Sequence, residues 1–123
     1  MGNAVITGMG IVSCIGNSVD EVTENLKKGQ SGIIFNEKYR DMGFRSHVSG
    51  SIDLDVTELI DRKTLRFMSK AAAYAYIASN QALMQANIEI SNLDRSRIGV
   101  VAGSGGASPA AQIVASDIAR GKG

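Results

Sequence analysis

Residues 98–106 read IGVVAGSGG, an apolar run that leads directly into three glycines within four positions. An apolar run without alternation is typical of a strand that is buried on both faces, as in a parallel sheet. Pro109 suits the first turn of a helix, and we expect that helix to end at about Ala119. The sequence therefore predicts a strand, a glycine-rich turn and a helix, in this order.

A similar alternation is predicted near the amino terminus. Residues 4–7 (AVIT) are short, apolar and partly β-branched, which favours a strand that runs into a turn at Gly8 and Gly10. The segment SVDE at residues 18–21 matches a capping box, which predicts the start of a helix. Gly29 is placed to end that helix.

The middle of the chain favours two more helices. Residues 30–43 are expected to be mostly loop, and residues 44–52 favour an irregular strand. A short helix is predicted at residues 59–68. Ser69 is a suitable N-cap for a longer, alanine-rich helix that ends near Asn87, a plausible left-handed terminator. The order of strands and helices predicts an α/β fold built of packed layers.

Composition and charge exclude several classes of function. The formal net charge is +1, so no overall field attracts nucleic acid or an anionic membrane. One cysteine and one histidine exclude a disulfide framework and a metal site rich in either residue. No segment approaches the roughly 20 apolar residues that span a bilayer. We therefore expect no metal, no nucleic acid and no membrane among the partners.

Two glycine motifs each allow two interpretations. Gly8-x-Gly10 after a strand resembles the start of a dinucleotide-binding fingerprint, but Ser13 stands where a third Gly or Ala is required. A tight turn after a buried strand is therefore the favoured interpretation. The glycines of residues 103–106 lack the Lys and Ser or Thr of a phosphate loop. They are either the wall of a ligand pocket or a structural turn.

The remaining candidate functional residues are one cysteine, one histidine and a cluster of basic residues. Cys14 has uncharged sequence neighbours, which favours a small buried residue over a nucleophile, and His47 is expected to be structural. Arg62, Lys63 and Arg66 would form one positive face if their segment is helical. Arg45 is a candidate fourth member, although spacing alone does not place it near them. Such a face is either solvated or a docking surface.

Six segments, taken in order, resemble the β-ketoacyl-acyl-carrier-protein synthases, and most of them are closer to the type I bacterial branch. They are AVITGMGIVS at residues 4–13, QSGI at 30–33, RSHV at 45–48, LIDRK at 59–63, RFMS at 66–69 and AGSGGASP at 102–109. Each segment alone is a weak signal, whereas the ordered set covers the whole chain.

The resemblance implies a thiolase-like fold, in which residues 1–123 form an incomplete amino-terminal portion of the amino-terminal domain. It also implies a cytoplasmic homodimer without a cofactor, which condenses an acyl thioester with malonyl-acyl carrier protein as carbon dioxide is lost. The family's nucleophilic cysteine and two histidines lie downstream of Gly123. Neither Cys14 nor His47 matches them, so the chain is expected to hold no catalytic residue.

The family's secondary sites do map onto this chain. The cations Arg62, Lys63 and Arg66 match the helix with which these enzymes meet acyl carrier protein, and Arg45 matches a position near it. The glycines that match the wall of the acyl pocket are Gly105 and Gly106. Ala107 departs from the glycine common in the type I branch.

Two alternatives stay open at the level of the sequence. One is a polyketide-type or type II synthase; the other is a non-catalytic carrier-binding or scaffold module of the ketosynthase type. The chain stops directly after a predicted helix, which we interpret as truncation. If strands that should be buried lack neighbours, apolar faces and unpaired edges are exposed, and the chain is expected to associate with itself.

Overall fold

The computed structural model describes residues 2–106 and 108–122, so the departure from the family at Ala107 lies outside the described residues. Five α-helices and two short strands are present in this part of the chain. In order they are α1 (Val19–Lys27), β1 (Ile33–Phe35), α2 (Glu37–Asp41), β2 (Val48–Gly50), α3 (Arg62–Leu65), α4 (Lys70–Gln85) and α5 (Pro109–Lys122), with 3₁₀ turns at Ile90–Asn92 and Arg95–Arg97 between α4 and α5.

The two strands form a small antiparallel sheet, in which Ile33 pairs with Gly50 and Phe35 with Val48. The irregular strand expected within residues 44–52 is therefore present. The expectation of a loop at residues 30–43 was wrong, because this segment holds β1 and α2. Local capping explains the missed helix. The side chain of Asn36 accepts a hydrogen bond from the backbone N–H of Tyr39 at 3.3 Å, and Gly43 adopts a positive φ of 72° just after the helix.

The two apolar runs that were expected to be strands are not strands in the structure. Residues 4–7 and 98–102 have no ladder partner among the described residues. The side chain of Val100 is 89% exposed, so the expected burial is wrong as well. A strand that is buried on both faces needs neighbours along both of its edges and both of its faces. No described segment supplies them.

Helix boundaries follow the capping signals closely. The Ser18 hydroxyl accepts from the backbone N–H of Glu21 at 3.2 Å, as the capping box predicts. The carboxylate of Glu21 accepts instead from Asn17 N–H at 2.7 Å, one residue before the N-cap. Asn87 has a φ of 54° and ends α4 as expected. The N–H groups of residues 87 and 88 then satisfy carbonyls of the last turn in a Schellman arrangement.

The apolar core is small. Ile60, Ala73 and Ile77 are 4%, 1% and 7% exposed, and they form one cluster with partly buried neighbours. α4 also packs away from this cluster, because Ala78 and Ala82 on another side of the helix are partly buried. The chain exposes 10391 Å² in total, whereas a compact monomer of 12.9 kDa would expose roughly 6300 Å². Much apolar surface is consequently open to solvent.

Residues 8–11 pack against α4. Met9 N–H donates to the side-chain oxygen of Gln85 at 2.6 Å, and Ile11 N–H donates to that of Gln81 at 2.9 Å. A Cβ atom on Gly8 or Gly10 would collide with a carbonyl oxygen of α4. Close approach to a helix backbone therefore accounts for both glycines. The turn predicted here is absent, and α1 begins well beyond these residues, unlike the helix of a dinucleotide fingerprint.

Candidate functional site

The candidate site is built on α3, a helix of four residues. Asp61 caps it, since its Oδ1 accepts hydrogen bonds from the backbone N–H groups of Lys63 and Thr64, both at 3.0 Å. Hydrogen bonds from the Thr64 hydroxyl and the Thr64 and Lys63 amides lower the pKa of Asp61 below its ordinary value. Ile60, the residue before the cap, is buried in the apolar core. The sequence predicted a longer helix, but residues 56–60 form turns instead.

Three of the predicted basic residues line one open groove. Arg62 and Lys63 lie in the first turn of α3, and Arg66 is its C-cap. The groove has a volume of about 1270 Å³, and Ile60, Leu65 and Phe67 also line it, with Thr57. The structure therefore brings these cations together, around a floor that is largely apolar.

No described carboxylate neutralises these cations. The ion pairs of residues 2–106 and 108–122 are Lys27 with Glu24 at 3.0 Å and Arg40 with Asp41 at 2.8 Å. The residues that line the groove include no Asp or Glu. The groove therefore presents net positive charge to solvent, and an acidic partner would meet it without first breaking an ion pair.

Arg45 lies on a different element. It is exposed in the loop between α2 and β2 and is not among the described residues that line the groove. The placement of Arg45 beside the other cations thus stays a prediction. Sequence reasoning missed the apolar residues that line the groove, although Ile60, Leu65 and Phe67 flank the basic residues in the sequence.

The glycines of the second candidate site lie in an exposed loop before α5. Nothing described lies within 4 Å of where a Cβ atom would stand on Gly105 or Gly106. The hydroxyl of Ser104 donates to the carbonyl oxygen of Gly106 at 2.9 Å. In this structure the loop is therefore a locally bonded turn with open space around it, and its role in a pocket stays a prediction.

Cys14 and His47 both have local packing roles. A Cβ atom on Gly32 or Gly50 would come within 3.0 Å of the Cys14 sulfur, which is half-buried rather than fully buried. The His47 ring packs edge-on against Phe35, with 5.9 Å between ring centroids. These contacts place both residues around the two-stranded sheet.

The described residues offer no other obvious site. No group of three or more His, Cys, Asp or Glu residues among them is arranged to hold a metal ion. Within the same ranges, no helix combines the length and the apolar character that crossing a bilayer requires.

Comparison with known proteins gives the family of the chain. The family described as "Beta-ketoacyl synthase, N-terminal domain" matches residues 2–121. The chain belongs to this family. The resemblance stated from the sequence is thereby confirmed.

Several curated members of the beta-ketoacyl synthase family are similar to this chain. It is 48% identical over 122 residues to 3-oxoacyl-[acyl-carrier-protein] synthase 1 of Escherichia coli (strain K12), which is 98% of this chain and 30% of the relative. The synthase 1 of Haemophilus influenzae is 46% identical over 121 residues, with the same coverage. The 3-oxoacyl-[acyl-carrier-protein] synthase 2 of Vibrio harveyi is 37% identical over 102 residues, 82% of this chain and 25% of the relative. The chain thus spans about 30% of the length of the synthase 1 relatives.

Proposed function

We propose that this chain is the amino-terminal part of a 3-oxoacyl-acyl-carrier-protein synthase that acts in fatty acid biosynthesis. The observation that carries the proposal is the similarity to synthase 1 proteins along 98% of the chain. The proposed reaction transfers an acyl group from the thioester of acyl-acyl carrier protein to a cysteine thiolate, which forms a new thioester and releases the thiol of the carrier. Malonyl-acyl carrier protein then loses carbon dioxide, and the resulting carbanion attacks that thioester and releases the cysteine.

The catalytic groups of this reaction are proposed to lie outside the chain. The reaction needs an activated thiolate and donors that stabilise the developing oxyanion. Cys14 packs against two glycines, and His47 packs on Phe35, so neither is assigned a role in the chemistry. The intact synthase is further proposed to be a cytoplasmic homodimer with a thiolase-like fold and no cofactor. Residues 98–102 would then gain the strand neighbours that they lack here.

The groove on α3 is the proposed docking surface for acyl carrier protein. Its three cations are without carboxylate partners among the described residues, and they converge on one opening. Each exposed ion pair to an acidic carrier would contribute about 0.2–1 kcal/mol. Such docking is weak, fast and salt-sensitive, which suits a carrier that delivers its load and leaves. Arg45 is proposed as a peripheral contact outside the groove.

Reversal of two groove charges tests this assignment. In the intact synthase, Arg62→Glu with Lys63→Glu replaces two attractions by two repulsions of about 0.5 kcal/mol each. We expect a loss of about 2 kcal/mol, or a roughly 30-fold rise in KM for acyl-acyl carrier protein. Kinetics with an acyl-coenzyme A substrate should change little, because that substrate does not need the docking surface.

The matched control is Lys27→Glu with Lys28→Glu, which makes the same change in net charge at the end of α1. It should leave KM for the carrier substrate nearly unchanged. If both double variants raise KM equally, the carrier responds to total charge and the docking surface is wrongly placed. If the groove variant impairs both substrates equally, the groove has no docking role.

A further inference from the structure

The backbone under the groove cations is a short helix, in which Leu65 N–H donates to the Asp61 carbonyl oxygen at 2.9 Å. In a helix of four residues, few hydrogen bonds offset the free-energy cost of forming the first turn. Hydrogen bonds at the ends of such a helix therefore contribute a larger share of its stability than in a long helix. Two N–H groups of α3 are satisfied by the Oδ1 atom of Asp61, at 3.0 Å each. The side chains of Arg62 and Lys63 are themselves exposed and do not anchor the helix.

Packing holds the ends of this segment rather than its middle. Ile60 is buried in the core before the cap, and Leu65 and Met68 pack against the same cluster after the helix begins. The Arg66 guanidinium lies 5.8 Å from the ring centroid of Phe67, which is itself 87% exposed. Between these anchors, the cap is the side-chain interaction that holds the turn on which the first two cations stand.

Asp61 performs this role without forming an ion pair with its basic neighbours. The ion pairs of the described residues lie on α1 and α2, and none involves Asp61. Its carboxylate accepts hydrogen bonds from Thr64 and from the backbone, and these lower the pKa of Asp61 below its ordinary value. Asp61 thus holds the first turn of α3, although its carboxylate adds one negative charge to a positive surface.

We propose that Asp61 is a positioning residue for carrier docking, whose side chain caps α3 and thereby fixes the arrangement of Arg62 and Lys63. The inference rests on the proposed function, because it assumes that these cations meet the carrier. It assigns the effect of Asp61 to the geometry of its cap rather than to its charge. Capping ability and charge can be separated by substitution, since Asn caps as well as Asp and is neutral.

Three variants of the intact synthase, Asp61→Asn, Asp61→Ala and Asp61→Glu, test the inference through KM for acyl-acyl carrier protein. The Asn variant keeps the cap and removes a negative charge, so its KM should be unchanged or lower. The Ala variant loses the cap, and the Glu variant keeps the charge on a longer side chain that caps poorly. In both, KM should rise by about threefold to tenfold, with kcat unchanged. The acyl-coenzyme A kinetics of all three should match the parent enzyme.

The outcomes separate this inference from the proposed function. If the Asn and Ala variants have the same KM, or if Asn is the worse of the two, the inference is overturned. If the Ala variant also loses activity with acyl-coenzyme A, its effect is on folding; the comparison of Asn with Glu then decides, and equal values overturn the inference. If the Arg62 and Lys63 reversal has no effect on KM, the proposed docking function itself fails. If that reversal has its effect while Asp61→Ala has none, only the role of Asp61 is wrong.

Discussion

The contact between residues 8–11 and α4 makes Gly10 a sensitive position. A Cβ atom on Gly10 would collide with the Ala78 carbonyl oxygen, which belongs to the helix backbone and cannot rotate away. Gly10→Ala must therefore push the segment off the helix. Such overpacking costs about 1–3 kcal/mol. Displacement also weakens the hydrogen bond from Ile11 N–H to the Gln81 side chain, which is 2.9 Å long and partly buried, at about 1 kcal/mol.

The two costs together amount to about 2–4 kcal/mol. Hydrogen–deuterium exchange of the α4 amides, measured by mass spectrometry in the intact synthase, would report this loss as exchange that is about 30-fold to 700-fold faster. Gly2→Ala is the matched control, because nothing lies within 4 Å of its Cβ position. We expect the control to exchange like the parent. An unchanged rate in Gly10→Ala would refute the packing of this segment on α4.

Three further predictions concern the other features of the chain. Gly106→Met in the intact synthase should shorten the acyl primers that are accepted, because it fills proposed pocket space; unchanged chain-length preference in a primer series would contradict the pocket role. Thr64→Val should raise the pKa of Asp61 back towards its ordinary value of 3.8, as a carbon-13 NMR titration of the carboxyl group would show. Because the folded pKa is the lower one, the stability that Asp61 adds is present above pH 3.8 and is lost as pH falls through its folded pKa. The chain by itself should associate with other copies, since its accessible surface of 10391 Å² is larger than that of a compact monomer of its mass. A monodisperse monomer in sedimentation, with a sharp cooperative melt in calorimetry, would contradict this prediction.

The features that the sequence predicted well are those whose causes lie within one turn of chain. Ser18 and Ser69 cap the helices that follow them, through hydrogen bonds to residues three positions ahead. Gly29 and Asn87 end helices with positive φ angles, which Gly tolerates because it lacks a Cβ atom and Asn tolerates better than most residues. Each of these signals needs no distant partner. Local capping was therefore readable without knowledge of the rest of the fold.

The failures have the opposite cause. The apolar runs at residues 4–7 and 98–102 were predicted as strands from composition alone, yet a strand exists only when another strand completes its ladder. In the described residues the sheet consists of β1 and β2. The missed helix α2 is an exception, because its cap, Asn36, is a local signal in a segment that was expected to be a loop.

The difference between local and distant contacts also explains why the structure brings the groove cations together but does not enclose a pocket at the glycines. The groove cations and their cap lie within six consecutive residues, from Asp61 to Arg66, so the local backbone suffices to bring them together. A pocket wall at Gly105 and Gly106 requires a second surface to face it, and the described chain has open space there. The basic groove is thus a feature that this chain carries by itself. The proposed acyl pocket is completed only in the intact synthase, so substitutions at Gly106 should change primer choice without changing carrier affinity, whereas loss of the Asp61 cap should do the reverse.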